Sequence, residues 1–284
     1  MKMVKKILLG LAAGAVVLGF AGCKEAGGNE DLIKVSGSSA SIDYTNENGS
    51  VTRGFKTLGT KHLDAICHIS MDVTGLNGSG QVSNGTMGYI FNLVKNADDT
   101  YNFTIAAARY NQSTQKTEAY VETFTNVAAD KLEDELSGGS HATGKTWGNT
   151  AYGFNLNVQP VGGKLDLWID VVAQGQGMVN NVLTDYPNRT VGAAGTYKVK
   201  FFDKDPGRKL GVGNYDLKYT NTSVTPIAEL TVEKKDVNTT YDTTKGLNSM
   251  QAETGFYANV YAGQTLKGTW KFEEIMKEAE EIVE

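Results

Sequence analysis

The sequence predicts an all-β fold, an antiparallel β-sandwich closed by a short C-terminal helix. Three observations carry that reading. From about Leu63 onward, short apolar runs with two-residue alternation follow one another. Turn chemistry rich in Gly, Asn and Asp separates them. Helical spacing of apolar residues is confined to two short segments.

Taken in order, Ala65 to Val73 alternates in its second half and reads as the first clear strand. Upstream, Ser36 to Gly54 is rich in Ser, Asn and Gly and reads as an irregular first strand region or a longer stalk. Met87 to Lys95, the turn Asn96–Asp99, the return strand Tyr101–Ala106, a turn near Gln112–Gln115 and the strand Ala119–Val127 form a meander. Tyr152 to Val158 and Leu165 to Val171 form a hairpin around Pro160–Gly163. In the second strand Leu165, Leu167, Ile169 and Val171 share one face, and Asp166, Trp168 and Asp170 the other. Further strands are predicted at Thr196–Phe202, Asn214–Tyr219, Ile227–Glu233, Gly255–Val260 and Leu266–Phe272. Helices are predicted at Ala128–Leu136 and at Phe272–Glu284, where Ile275, Met276, Ala279, Ile282 and Val283 fall at helical spacing.

The N-terminus reads as an export signal. Lys2, Lys5 and Lys6 precede an uncharged stretch from Ile7 to Phe20, which ends at the small residues Ala21 and Gly22 and then Cys23. Ile7 to Gly22 is 16 residues, short of the roughly 20 that a transmembrane helix needs. The ending Phe20-Ala21-Gly22-Cys23 resembles the lipobox of bacterial lipoproteins, in a looser form with Phe20 where the family usually has Leu, a habit of spirochaetes among others. The resemblance implies cleavage before Cys23 and a diacylglyceryl group on its thiol, with palmitate-like chains. Two or more acyl chains anchor stably where one does not. The expected plan is a signal peptide over 1–22, lipid anchor and flexible tether over 23–35, and one sandwich domain over 36–284. The expected place is the cell envelope, at the outer membrane or cell surface.

Removing the leader takes the basic residues from 27 to 24 against 32 acidic ones, a formal charge of −8. That sign argues against a nucleic-acid footprint and favours solubility. With Cys23 lipidated, Cys67 stands alone between apolar neighbours and reads as a buried structural thiol, so the domain depends on its core rather than on a disulfide.

The segment Met87–Tyr110, with Gly88, Phe91 and Tyr101-x-Phe103, resembles hairpins of concanavalin-like and laminin-G jelly rolls. Many members of that group bind sugars and some are glycosidases, but fold alone does not carry function.

Asp166 and Asp170 lie about 13 Å apart along a strand, too far for a retaining glycosidase pair at about 5 Å. Glu133-Asp134-Glu135 falls in a predicted surface helix. His62, Cys67 and His68 are close in sequence, but Cys67 and His68 point to opposite strand faces, which argues against zinc. Asp203-Lys204-Asp205-Pro206-Gly207 reads first as a turn and second as calcium oxygens. No Gly-x-Ser-x-Gly elbow occurs, and His141 is the third and last histidine. Trp147, Trp168 and Trp270 are candidates for sugar stacking. Trp168 between Asp166 and Asp170 is the favoured ligand-binding set. The expectation is a non-catalytic binding domain without cofactor or metal, favouring carbohydrate. An adhesin or structural envelope protein that meets another protein is the alternative, and a carbohydrate hydrolase is disfavoured.

Overall fold

Residues that alternate between apolar and polar build the strands of one layer, and strands buried on both faces build the other. The computed structural model describes residues 32–77, 80–132, 142–143, 153–179, 182–191, 195–211, 216–232 and 252–277. Their strands are β1 (Lys34–Ser36), β2 (Ser39–Thr45), β3 (Thr52–Asp72), β4 (Gly85–Lys95), β5 (Thr100–Asn111) and β6 (Lys116–Ala128). Then come β7 (Ala142–Thr143), β8 (Gly153–Leu156), β9 (Lys164–Ala173), β10 (Gln176–Val179), β11 (Val182–Asp185) and β12 (Tyr197–Phe202). The last are β13 (Arg208–Leu210), β14 (Leu217–Tyr219), β15 (Ala228–Val232), β16 (Ala252–Val260) and β17 (Thr265–Lys277). All their pairings are antiparallel.

The sandwich is made by one long strand that serves both layers. The Thr52–His62 half of β3 pairs with β16, which continues through β4, β5 and β6 to β7 and β8. Its Ala65–Asp72 half pairs with β9, which continues through β12 to β15. On the opposite edge β3 pairs with β17, and β17 with β2. The sheet therefore forks at His62–Ala65. Layer 1 is built from β16, β4, β5, β6 and β8, and layer 2 from β2, β17, β3, β9, β12 and β15.

Alternation buries one face of each layer against the other. Leu165, Leu167, Ile169 and Val171 of β9 are fully buried. Aromatic rings cross the interface: Phe256 on Trp270 at 6.0 Å, Tyr89 on Phe272 at 4.8 Å and Phe91 on Tyr197 at 5.6 Å between centroids. Trp270 Nε1 donates to the Gly88 carbonyl at 3.0 Å, so the buried indole has its partner.

Layer 1 is also apolar on its other face. Ile90, Phe103, Ile105, Tyr120, Phe124 and Tyr257 form a second buried cluster. The layer curls around it. Tyr257, Gly88, Ala107 and Tyr120 stand in one register row, and the two tyrosine hydroxyls meet at 3.5 Å above the small residues between them. Three strand steps would place them roughly 14 Å apart in a flat sheet. A side chain at Gly88 would lie 2.4 Å from the Ala106 carbonyl oxygen and 2.5 Å from Ala107 Cβ, so the curl requires glycine there.

Of the two expected helices, the first falls mostly outside the described residues: over Ala128–Leu136 they hold a 3₁₀ turn, Ala129–Lys131, followed by a helical Leu132, and residues 133–136 are not among them. The second is corrected. The segment from Phe272 is the end of β17 up to Lys277, not a helix. Bulges between Phe272 and Ile275 and between Met276 and Lys277 break the two-residue alternation. The apolar residues then fall at three- and four-residue spacings that mimic a helix face. Residues 278–284 lie outside the described set. Ser39–Thr45 is strand β2, so over that span the first of the two readings of Ser36–Gly54, a first strand region, holds and the stalk does not.

Candidate functional site

The outer face of layer 2 is polar and laid out in rows by the strand register. Ser41, Thr269, Ser70 and Asp166 make one row. Lys271, His68, Trp168 and Phe202 make the next. His68 and Trp168 are direct cross-strand neighbours, and their rings stack at 4.1 Å with 8° between planes. His68 Nε2 donates to Asp166 Oδ1 at 3.0 Å, with the two side chains 25% and 43% exposed. One face of the indole is thus taken by His68, which fixes its orientation, while the Asp166 carboxylate stands open beside the pair. Trp168 Nε1 is buried and meets no acceptor among the described residues.

The expected trio does not hold together. Asp166 and Trp168 share the half-exposed patch, but Asp170 is fully buried. It accepts a hydrogen bond from the Tyr219 hydroxyl at 2.7 Å and faces Arg208 Nη1 at 3.3 Å. The β13–β14 hairpin supplies both of those groups, which removes Asp170 from any ligand on the open face. Burial pushes the Asp170 carboxyl up, and Arg208 and Tyr219 oppose that shift only in part.

Asp170 belongs instead to a buried ionic cluster at the fork. Asp64 receives Arg189 Nη1 at 2.6 Å and also Arg208 Nη2, all three side chains being fully buried. Ala173 N donates to Asp64 Oδ2 at 3.1 Å, and Arg208 Nη1 donates to the Glu274 carbonyl at 3.0 Å. Burial pushes the Asp64 carboxyl up, but Arg189 and Arg208 together outweigh it and hold it below the ordinary aspartate value. Two acids and two arginines balance, so the cluster fastens the 182–191 segment, the β13–β14 hairpin and the end of β17 onto β3 and β9. Sequence reasoning missed it because nothing local marks Arg189 or Arg208 as buried. The available signal was Asp64, a lone charge beside the apolar run Ala65–Ile69.

Cys67 is fully buried and its thiol is pushed up by burial, the behaviour of a structural thiol. Cys67 and His68 point to opposite sides of β3, as alternation requires. Among the described residues no group of three or more His, Cys, Asp or Glu side chains could hold a metal ion. Asp205 Oδ1 accepts from Gly207 N at 2.7 Å, and Gly207 has φ of 63°, so this carboxylate closes a turn. Trp270 is core. Cys23, Glu133–Glu135, His141, Trp147 and Tyr152 lie outside the described residues, as does nearly all of the proposed leader and tether. No helix among the described residues is long and apolar enough to cross a membrane.

No protein-family model matches the chain, and no curated protein matches it in sequence. Among solved structures, a chain titled "Bifunctional GH43-CE" from Bacteroides eggerthii aligns with 86% of this chain at 11% identity and a TM-score of 0.34. This chain covers 22% of that neighbour's length. A likeness at that score carries no argument about chemistry.

Proposed function

We propose that this protein is an exported bacterial lipoprotein, anchored through Cys23, whose sandwich domain binds a glycan without catalysis on the outer face of layer 2. The observation that carries the reading is the half-exposed stack of His68 and Trp168 beside the open carboxylate of Asp166. An aromatic surface takes the C–H face of a sugar ring, and the carboxylate accepts its hydroxyls. Ser70, Thr269 and Ser41 extend that row with further hydroxyl groups. The leader supports anchoring: three lysines, an uncharged run and small residues before Cys23. A glycan-array screen of the soluble fragment 31–284 tests the binding reading. Trp168→Ala should cut retention on the positive glycans by about tenfold or more, as loss of a central aromatic anchor does. Equal retention by the variant would remove the outer face as the site.

A second reading, contact with another protein of the envelope or host, has its own support. Val182 and Leu183 of β11 are 62% and 38% exposed, and Val191 further along the chain is 51% exposed, large apolar side chains that a partner could cover. Asp or Lys substitutions there should abolish capture of a protein partner while leaving glycan retention unchanged.

A further inference from the structure

The open part of layer 2 extends well past the Trp168 pair. Ser41 of β2, Thr269 of β17, Ser70 of β3 and Asp166 of β9 stand in one register row across four neighbouring strands. Three strand steps give that row a length of about 14 Å. Ser41 and Thr269 are exposed, and Ser70 and Asp166 are half-buried, so the row meets solvent along its whole length. The cover supplied by the β13–β14 hairpin begins beyond Trp168, at Asp170.

The charges on either side of the row are matched within the face. On one side Lys267 Nζ meets Asp43 Oδ1 at 3.3 Å. Asp72 Oδ1 there accepts from Thr74 N at 2.9 Å and from Thr74 Oγ1 at 2.7 Å, with Lys164 as its cross-strand neighbour. On the other side Lys271 Nζ meets Glu273 Oε1 at 3.4 Å, and His68 holds Asp166. The hydroxyls between these flanks are different. Those of Ser41, Thr269 and Ser70 have no hydrogen-bond partner among the described residues. Other exposed hydroxyls of the chain close turns or pair: Thr100 with Asp98, Thr45 with Thr265 and Ser223 with Asn221. Three adjacent ones left open, ending at a carboxylate, form a strip of donors and acceptors.

Resting on the outer-face reading of Trp168, we infer that the ligand is a neutral, extended glycan whose chain runs across β9, β3, β17 and β2 along this row. Consecutive sugar rings then sit on successive strands. A single ring held at Trp168 and Asp166 leaves Thr269 and Ser41 unmet, whereas a chain reaches both. Serine and threonine hydroxyls each donate and accept, and so do the hydroxyls of a sugar. The short side chains let such a chain lie close to the sheet, between the taller charged flanks. A polyanionic glycan would meet Asp166, while the lysines beside the row already face acids. A protein partner draws its affinity from buried aromatic and apolar anchors, and this row and its two flanks offer Trp168 alone, at one end.

Calorimetry on the full-length chain with cellotetraose, mannotetraose and chitotetraose, each against its monomer, tests the inference. At least one tetramer should bind about tenfold or more tighter than its monomer, from the added hydroxyl contacts. Tetragalacturonic acid should bind more weakly than that tetramer. Ser41→Ala combined with Thr269→Val removes the two far hydroxyls at nearly constant shape, and should weaken the tetramer by about fivefold or more. The length series on the unaltered chain reads the site even where this variant fails to fold. Equal affinity for tetramer and monomer, both lost in Trp168→Ala, overturns the extended chain and leaves a site for one ring. A tetramer advantage kept in the double variant also overturns it, because the chain then runs elsewhere. Silence toward every tetramer overturns it too, and retention of the same preparation on the glycan array then shows whether the outer-face reading survives.

Discussion

Replacing Asp64 by Asn is the sharpest test of the reasoning about what holds the two layers. The side chain keeps its shape but loses the charge that faces Arg189 and Arg208, all fully buried. Asp170 alone then stands against two guanidinium groups, and the fork carries an uncompensated positive charge. Breaking a buried ion pair from one side costs about 3–5 kcal/mol, against a total of about 5–15 kcal/mol for a domain. At roughly 2–4 °C per kcal/mol for a chain of this size, Tm should fall by about 6–20 °C. Urea unfolding followed by fluorescence of the buried Trp270 measures the same loss. The effect also has a pH signature. The Asp64 carboxyl is held below its ordinary value of 3.8 in the folded chain. Its contribution is therefore fully present above that value and is lost as pH falls through the lower folded value. The acid limb of the stability curve should be flatter in Asp64→Asn. A loss below about 1 kcal/mol, the worth of a surface pair, would refute the account of this cluster as the fastening of the fork.

Gly88→Ala should destabilise by about 1–3 kcal/mol, since its methyl group would press on the Ala106 carbonyl oxygen and Ala107 Cβ; chemical denaturation checks it, with Ala107→Gly as a control that relieves rather than adds crowding. Cys67 should be inert to Ellman's reagent in a folded Cys23→Ser chain and react fully once unfolded, because burial pushes its thiol up; fast labelling of the native protein would contradict the burial.

Much of the strand pattern could be read from residues alone because alternation is a local signal. Leu165–Val171 gave both the strand and its inward face, and Asn96–Asp99 gave the turn between β4 and β5. The end of β17 was misread because two bulges disturb a period of two. The segment of β2 stayed open between strand and stalk because its Ser-rich outer face hides Ala40 and Ile42 inside. At the candidate site, adjacency along a strand placed Trp168 with Asp166 correctly. It failed for Asp170, whose surroundings come from β13 and β14 some forty residues later. The His68 partnership is likewise a matter of register between β3 and β9, which no local pattern states.

The position of β17 between β2 and β3 bears on when the protein can fold. The side chains of Thr45 and Thr265 meet across 220 residues of chain, and the strand that joins β2 to β3 follows both of them by about 200 residues. A polypeptide emerging N-terminus first carries β2 and β3 with a vacancy between them until Thr265–Lys277 arrives. Contacts of such long range form slowly. Closure of layer 2 is thus tied by geometry to the emergence of Thr265–Lys277.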